Sequence, residues 1–454
     1  MKTFIISILS FVIFTASAKV DYKDGDVVNL IGDSITQAGT YVMLYGAYNA
    51  LHSPSENVTM MNCGIVGNNV YSMISRYSVD IAPHKADYSF IMTGMNDMWS
   101  NLYRKDAELT DELIEKRKKA DLTYQQGVEK LVKMVIGGGS KPILMTPTPF
   151  DETAVGYKLT ESGKSEALVR CSDFIKSLAT KYDIAVVDQN RLLLEINSRE
   201  QKSNPKFTII GPDRVHPQDG GHFAMAYEII RTLHAPSVVS EVLIDVEHGK
   251  VVKSENCEVE YQGGLTFGVK SNSLPFPITQ RFADVQRLVS FEQEYNREIL
   301  CVAGLEQGAY SLEIDAVKVG KYSDAELSSG VNLATNDKTP QYTQALAVFK
   351  LCEERQKNQA LLRDIANLEI GKLDKYKKST GFNSFVEFLY ADAEKSKGKS
   401  WYEYGKSVVR RYEANKSRES EILDDFNRLQ GEIYKKAQPK LHTYKLQKLL
   451  VLSD

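Results

Sequence analysis

The sequence predicts an α/β fold with a parallel sheet, followed by a smaller β-rich region and a helical tail. Three observations carry this. Short apolar runs alternate with helix-compatible stretches between residues 27 and about 234, the pattern of a sheet covered by helices on both faces. Three of those runs stop at a glycine-containing turn that carries polar residues, so side chains with chemistry collect at one sheet edge. Beyond Ala235-Pro236 the pattern changes to short alternating runs, and from residue 341 to helical spacing rich in Lys and Glu.

The first apolar run, Val27, Val28, Leu30 and Ile31, reads as a buried strand. It stops at Gly32-Asp33-Ser34, and a helix is expected over residues 41–51. A second strand over 58–63 is closed by Gly64-Ile65-Val66-Gly67-Asn68-Asn69, and a third over 88–93 by Gly94-Met95-Asn96-Asp97. The charged stretch 99–120 reads as a surface excursion or lid. Residues 121–136 have the spacing of an amphipathic helix ended by three glycines. Strands over 142–146 and 184–187 flank a helix over 163–181. Asp213-Arg214-Val215-His216-Pro217 then precedes a helix over 221–233. Further on, runs at 242–246, 265–269 and 310–314, separated by glycine, proline and asparagine, predict a small antiparallel sandwich. Helices follow over 341–370 and 417–438, whose charged positions read as solvated faces. Trp401, Tyr402 and Tyr404 read as buried packing, with a sugar platform as the alternative.

With 454 residues the chain has room for two or three domains. Its 43% hydrophobic and 25% charged residues are ordinary for a globular protein, and a net charge of −3 argues against a nucleic-acid partner. Lys2, an apolar run over 4–15 and Ala16-Ser17-Ala18 form a cleavable export signal. The mature protein is therefore expected to start near Lys19 and to be periplasmic or secreted. No later run is long enough to predict integral membrane association. Five cysteines, at 63, 171, 257, 301 and 352, are too few for a disulfide scaffold and lack metal-ligand spacing, though Cys257 and Cys301 could pair. The expected partition is a signal peptide over 1–18, an α/β domain over 19–236, a β-rich accessory domain over 237–335 and a helical region over 336–454.

Four sites thus stand in order: Gly32-Asp33-Ser34, Gly67, Gly94-x-Asn96-Asp97 and Asp213-x-x-His216. Acyl transfer needs these residue types. A serine hydroxyl is a poor nucleophile until a base removes its proton. His216 titrates in the right range, and Asp213 can reach its other ring nitrogen within one local turn. The negative charge formed by attack on a carbonyl needs preorganised donors, each worth about 2.7–4 kcal/mol of barrier. The donors available are the backbone N–H groups of Ser34 and Gly67 and the side-chain amide of Asn96; Gly67 has no side chain to obstruct a close approach. Each motif alone is also ordinary turn or cap chemistry; their order and strand-end placement make the set specific. Asp33, Asn68, Asp97 and Arg214 are candidate substrate contacts.

This constellation resembles the SGNH/GDSL hydrolase family. Ser34 falls in its Gly-Asp-Ser block, Gly67 in the glycine block, Asn96 in Gly-x-Asn-Asp and His216 in Asp-x-x-His. The resemblance covers about residues 25–234. It implies a three-layer α/β/α flavodoxin-like fold and ester hydrolysis through an acyl-enzyme, with Ser34, Asp213 and His216 catalytic and Ser34, Gly67 and Asn96 forming the oxyanion hole. Arg214 stands where many relatives have a small residue. Gly308-Ala309-Tyr310, Gly320 and Gly330-Val331-Asn332-Leu333-Ala334 resemble the carboxyl-terminal part of a bacterial two-part subgroup. No Gly-x-Ser-x-Gly elbow surrounds Ser34, which argues against the α/β-hydrolase fold. The mechanism calls for no metal or organic cofactor. An export signal with a β-rich accessory region points to an acetylated polysaccharide or oligosaccharide as substrate. The alternatives are a lipid-directed esterase, lysophospholipase or thioesterase, and a non-catalytic glycan-binding protein.

Overall fold

The computed structural model of the chain describes residues 20–399 and 401–449; the expected export signal lies outside them. The first half alternates strands and helices: β1 (Val27–Gly32), α1 (Ser34–Gln37), α2 (Thr40–His52), β2 (Thr59–Gly64), α3 (Val70–Arg76), β3 (Tyr88–Met92), α4 (Asp111–Gly137), β4 (Lys141–Met145), α5 (Lys164–Tyr182), β5 (Val186–Val187), α6 (Gln189–Glu200) and α7 (Asp219–Leu233). The strands form one parallel sheet in the order β2-β1-β3-β4-β5. β1 and β3 are covered on both faces, which is why their sequences are nearly continuous apolar runs instead of alternating ones. Val28 and Leu30 join one core with α2 and α7, whereas Ile31 joins another with α3, α4 and α5. These are the three expected layers.

The register sets Gly32 opposite Gly64 and Ile31 opposite Ile91, so β1, β2 and β3 finish side by side. The stretch expected as a lid is partly helix: Thr110 caps α4 by accepting from the Leu113 N–H at 3.2 Å, which starts the helix ten residues before the apolar periodicity does.

The middle of the chain supplies β6 (Ser240–Asp245), β7 (Lys250–Glu255), β8 (Cys257–Gly263) and β9 (Thr266–Ser271). They are followed by a short α8 (Phe291–Tyr295), β10 (Glu298–Ala303), β11 (Ala309–Ile314), β12 (Val317–Ser323), α9 (Asp324–Ser329) and β13 (Val331–Asn332). Two sheets, β13-β10-β6-β7 and β12-β11-β14-β9-β8, enclose a core containing Ile244, Val302, Phe267 and Leu312, where β14 (Leu441–Lys448) comes from the end of the chain. Two expectations change here. The sandwich is not wholly antiparallel, because β6 and β10 run parallel. The tail is not wholly helical either: β14 alternates buried His442, Tyr444 and Leu446 with exposed neighbours and fills the centre of the second sheet. The sandwich therefore cannot be cut out at residue 335. Between β9 and β10 the chain also returns to the first domain, where Leu274, Phe276, Phe282 and Phe291 enter its core. All five cysteines are free thiols.

The tail forms α10 (Pro340–Lys377), α11 (Phe385–Glu394), α12 (Tyr402–Asn415) and α13 (Glu419–Ala437) before β14. β2 is an outer strand, and outer strands carry unpaired carbonyls. Here α10 covers them. Arg355 Nη2 and Gln359 Nε2 donate to the Met60 carbonyl at 3.2 and 3.4 Å, and Arg363 Nε donates to Gly64 O at 3.1 Å. Gln430 and Tyr434 of α13 donate to Val58 O at 3.1 and 3.3 Å. The polar face of α10 expected to be solvated is thus, over one stripe, buried against the sheet edge. Among the described residues no helix is long and apolar enough to cross a membrane.

Candidate active site

Ser34 stands first in α1, immediately beyond β1. Asp33 caps that helix, its Oδ1 accepting from the Ile35 N–H at 2.9 Å, which fixes the backbone on either side of the serine. The nucleophile turn is also held from below by Gly64. A Cβ there would lie 2.2 Å from the Gln37 nitrogen and 2.8 Å from the Asp33 carbonyl oxygen, so only glycine lets β2 approach this closely.

Ser34 Oγ lies 2.8 Å from His216 Nε2, and His216 Nδ1 lies 2.6 Å from Asp213 Oδ2. The second carboxylate oxygen of Asp213 accepts from the backbone N–H groups of Val215 and His216 at 3.0 and 2.9 Å. These bonds orient the carboxylate and leave one oxygen for the imidazole. Burial would raise the Asp213 carboxyl, but the His216 side chain and the two N–H groups outweigh it and hold its pKa at about 2. In return, the hydrogen bond to Asp213 raises the His216 pKa above its ordinary value against the opposing effect of burial. The ring thus donates from Nδ1 and presents Nε2 to the serine.

The turn carrying this pair depends on Arg214. Its φ is +66°, unusual for a residue with a side chain. Its guanidinium donates to the carbonyls of Asp151, Ala154, Tyr157 and Lys158 at 2.6–3.0 Å. At 3% exposure, Arg214 is a strut between the His216 turn and the 151–158 loop and is not a substrate contact, contrary to the sequence expectation. Three other candidates also have structural employment. Asp33 is buried, and that burial raises its pKa to about 6. Asp97 accepts from the Val70 N–H at 3.0 Å and the Thr93 hydroxyl at 2.6 Å, tying the end of β3 to the start of α3. Asn68 accepts from Arg76 Nε at 2.7 Å through its side chain, and its backbone carbonyl accepts from Asn96.

The Asn96 amide contacts Asn68 O at 3.0 Å and, loosely, Asp33 Oδ2 at 3.4 Å. This places it beside the nucleophile turn. Gly67 has φ +73°, and a Cβ built on it would meet nothing within 4 Å. The positive φ by itself favours glycine, and no described residue crowds the position. No described residue accepts from the Ser34 or Gly67 amide N–H. Both are available to an incoming oxygen.

Two features at the site had no legible signal. Gln37 Oε1 accepts from the Val66 N–H at 2.6 Å, while its Nε2 reaches Asp364 Oδ1 at 3.4 Å. Asp364 in turn accepts from Arg411 Nε at 2.6 Å. A polar chain therefore runs from α12 through α10 to the loop that carries Gly67. The second is a cleft of about 810 Å³ in front of Ser34, Asp213 and His216, whose far wall comes from the tail, with Leu361, Trp401 and Tyr404. Trp401 and Tyr404 are 57% and 48% exposed, so the buried packing expected for them does not occur.

Residues 30–224 match the family model described as the GDSL-like Lipase/Acylhydrolase family. An acetylxylan esterase of Geobacillus stearothermophilus is 26% identical over 233 residues, which cover 46% of this chain and 94% of that protein. Among solved structures, a gut microbial diltiazem-metabolizing enzyme is similar with a TM-score of 0.83 and 25% identity, covering 95% of this chain and 99% of that one. That likeness extends over the sandwich and the tail as well as the parallel-sheet domain.

Proposed function

The chain belongs, through residues 30–224, to the SGNH/GDSL hydrolases and is a serine ester hydrolase; from that premise we propose that it removes O-acetyl groups from a polysaccharide or oligosaccharide. The observation that carries the mechanism is the hydrogen-bonded series Ser34–His216–Asp213 at 2.8 and 2.6 Å. Ser34 Oγ attacks the ester carbonyl as its proton passes to His216 Nε2, and Asp213 stabilises the imidazolium. The oxyanion takes up the N–H groups of Ser34 and Gly67 and the Asn96 Nδ2 hydrogen now spent on the loose 3.4 Å contact. His216 gives its proton to the departing alcohol oxygen, leaving the acyl group on Ser34. Water then attacks the acyl-enzyme as His216 takes its proton; collapse releases the carboxylic acid and returns that proton to Ser34.

Support for a carbohydrate alcohol comes from the acetylxylan esterase relative and from a cleft that mixes aromatic faces with Asp364 and Arg411. A second reading, an acetylesterase of small non-carbohydrate molecules, is favoured by the full-length likeness to the diltiazem-metabolizing enzyme. Acetate release from acetylated xylooligosaccharides, with kcat/KM compared against diltiazem and p-nitrophenyl esters of rising chain length, decides between them. Activity on diltiazem or long acyl esters with none on any acetylated glycan rejects the carbohydrate reading.

The raised His216 pKa fixes the sign of the pH dependence. The base works only when neutral, so acidification removes activity as the ring gains its proton. Because Asp213 favours the charged ring, this loss is expected at a higher pH than for an ordinary imidazole. A plot of log kcat/KM should rise with unit slope below a midpoint above about 6.5 and level off beyond it. Asp213→Asn should lower both midpoint and plateau. A wild-type midpoint at or below the ordinary value would contradict the assignment.

A further inference from the structure

Trp401 and Tyr404 open α12 three residues apart, a spacing that points both rings to one side of a helix. One turn further on, Val408, Val409 and Tyr412 are buried in the core of the tail, so the exposure of the first two is not a general property of this helix. Among the described residues, neither the Trp401 indole N–H nor the Tyr404 hydroxyl has a hydrogen-bond partner. Both rings nevertheless face a cleft shared with Ser34 and His216. A Trp and a Tyr left uncovered together mark a surface that a ligand covers.

The direction of the cleft identifies which part of the substrate it receives. In the tetrahedral intermediate the oxyanion points at Gly67 and Asn96, and the leaving oxygen must point at His216 to collect its proton. The cleft is lined by Ser34, His216 and Asp213, and by Val66 of the loop that carries Gly67, but not by Gly67, Asn68 or Asn96 themselves. It therefore opens beside the base that protonates the leaving oxygen and gives room to the alcohol side of the scissile bond. Its chemistry is equally directional. Arg411 spends Nε on Asp364 at 2.6 Å and Nη1 on the Ser407 hydroxyl at 3.1 Å, and its Nη2 hydrogens, at the edge of the aromatic wall, have no partner among the described residues. A flat apolar face beside unspent donors fits a pyranose ring, with its C–H face against the indole and its hydroxyls toward Arg411 and Tyr404. An alkyl chain would cover the Arg411–Asp364 pair and return nothing to it.

We propose that Trp401 and Tyr404, with Arg411 at their edge, form a sugar-binding subsite for the alcohol portion of the substrate, so that the carboxyl-terminal helices select the leaving group. This rests on the carbohydrate reading given above. It assigns to the tail a part in specificity that the parallel-sheet domain, matched by the family, does not contain.

The test uses the full chain with acetylated xylooligosaccharides of increasing length. Trp401→Ala should raise KM about tenfold with kcat changed less than about twofold, and should abolish any gain in kcat/KM with oligosaccharide length. Trp401→Phe, which keeps a stacking face, should recover most of the loss. Wild-type KM and length dependence in W401A would overturn the subsite while leaving the esterase reading intact. A wild type that cleaves p-nitrophenyl acetate but no acetylated oligosaccharide would reject the carbohydrate reading and the subsite with it. The chain has two tryptophans, so Trp401 is the sole tryptophan in a Ser34→Ala, Trp99→Phe double variant and can be excited apart from the tyrosines. Acetylated xylotetraose should shift or quench its fluorescence saturably. An unchanged emission at concentrations well above the wild-type KM would overturn the subsite even if W401A failed to fold.

Discussion

Ser34→Ala is expected to lower turnover of p-nitrophenyl acetate on the order of 10⁴–10⁶-fold while leaving the unfolding transition in place. Among the described residues the Ser34 hydroxyl has one side-chain partner, His216 Nε2. Its removal therefore frees an imidazole nitrogen that water can reach, since the His216 side chain is 46% exposed. No cavity forms in a core and no buried donor is orphaned, so stability has little to lose. The catalytic loss is large because the remaining groups have no nucleophile to act with. His216→Ala should cost a similar factor for the complementary reason that the serine proton has no acceptor. The double variant should be no worse than the poorer single one, because both substitutions disable one unit. What remains should be the effect of the oxyanion donors and of substrate binding. A fluorophosphonate probe should label the wild type at Ser34 and fail on S34A. Turnover above about 1% of wild type in S34A, far outside the range for a lost nucleophile, would move the nucleophile elsewhere. A wild type inert to esters and to the probe would instead favour a binding role for the fold.

Ser34, Gly67, Asn96, Asp213 and His216 could be found in the sequence because each is announced locally. A buried strand needs a continuous apolar run, and a site at its end needs a turn, so glycine and polar residues follow directly. Asp213 and His216 share one turn, and their contact needs no knowledge of the rest of the chain. Arg214 sits in that same turn, but its role is not legible there, because it depends on carbonyls some sixty residues away that no local pattern places beside it. The same reason hid the function of α10. Arg355, Gln359 and Arg363 recur at intervals of four, and charged or polar residues at that spacing normally mark a solvated face. Here the stripe meets the open edge of β2, where carbonyls reward donors more than apolar groups. Trp401 and Tyr404 failed in the opposite sense: aromatic residues at helical spacing usually pack inward, and only the cleft between two distant parts of the chain leaves these two open. β14 escaped because His442, Tyr444 and Leu446 are a weak alternating signal at the end of a long helical stretch.

Asp80→Asn should destabilise the protein by about 3–5 kcal/mol, seen as a lower thermal or denaturant midpoint. Asp80 stands between Arg76 and Arg363, and the three side chains are 1–7% exposed. Arg363 grips it through both terminal nitrogens at 2.7 and 3.0 Å, and Arg76 bonds it from the other side. Both arginines also serve strand ends: Arg76 donates to Cys63 O at 2.7 Å and Arg363 to Gly64 O at 3.1 Å. The asparagine variant keeps the shape but leaves two buried guanidinium groups without a counter-charge. A buried ion pair need not be better than an apolar replacement, but breaking one is costly. Apolar replacement of all three residues would not escape the cost here, since it would strip donors from carbonyls just below the nucleophile turn and the Gly67 loop. The pH dependence has a definite sign. Burial alone would raise the Asp80 carboxyl, but Arg363 and Arg76 outweigh it and hold its pKa below the ordinary value. Its stabilising contribution is therefore complete above the unfolded pKa of about 3.9 and disappears as pH falls through the lower folded value. The stability of D80N should accordingly depend less on pH below about 4 than that of the wild type. Because the triad joins α10 to the ends of β1 and β2, D80N should also lose esterase activity at temperatures where it is still folded. A midpoint within about 1 °C of wild type, with full activity, would show that this cluster is not what couples the helical tail to the catalytic edge.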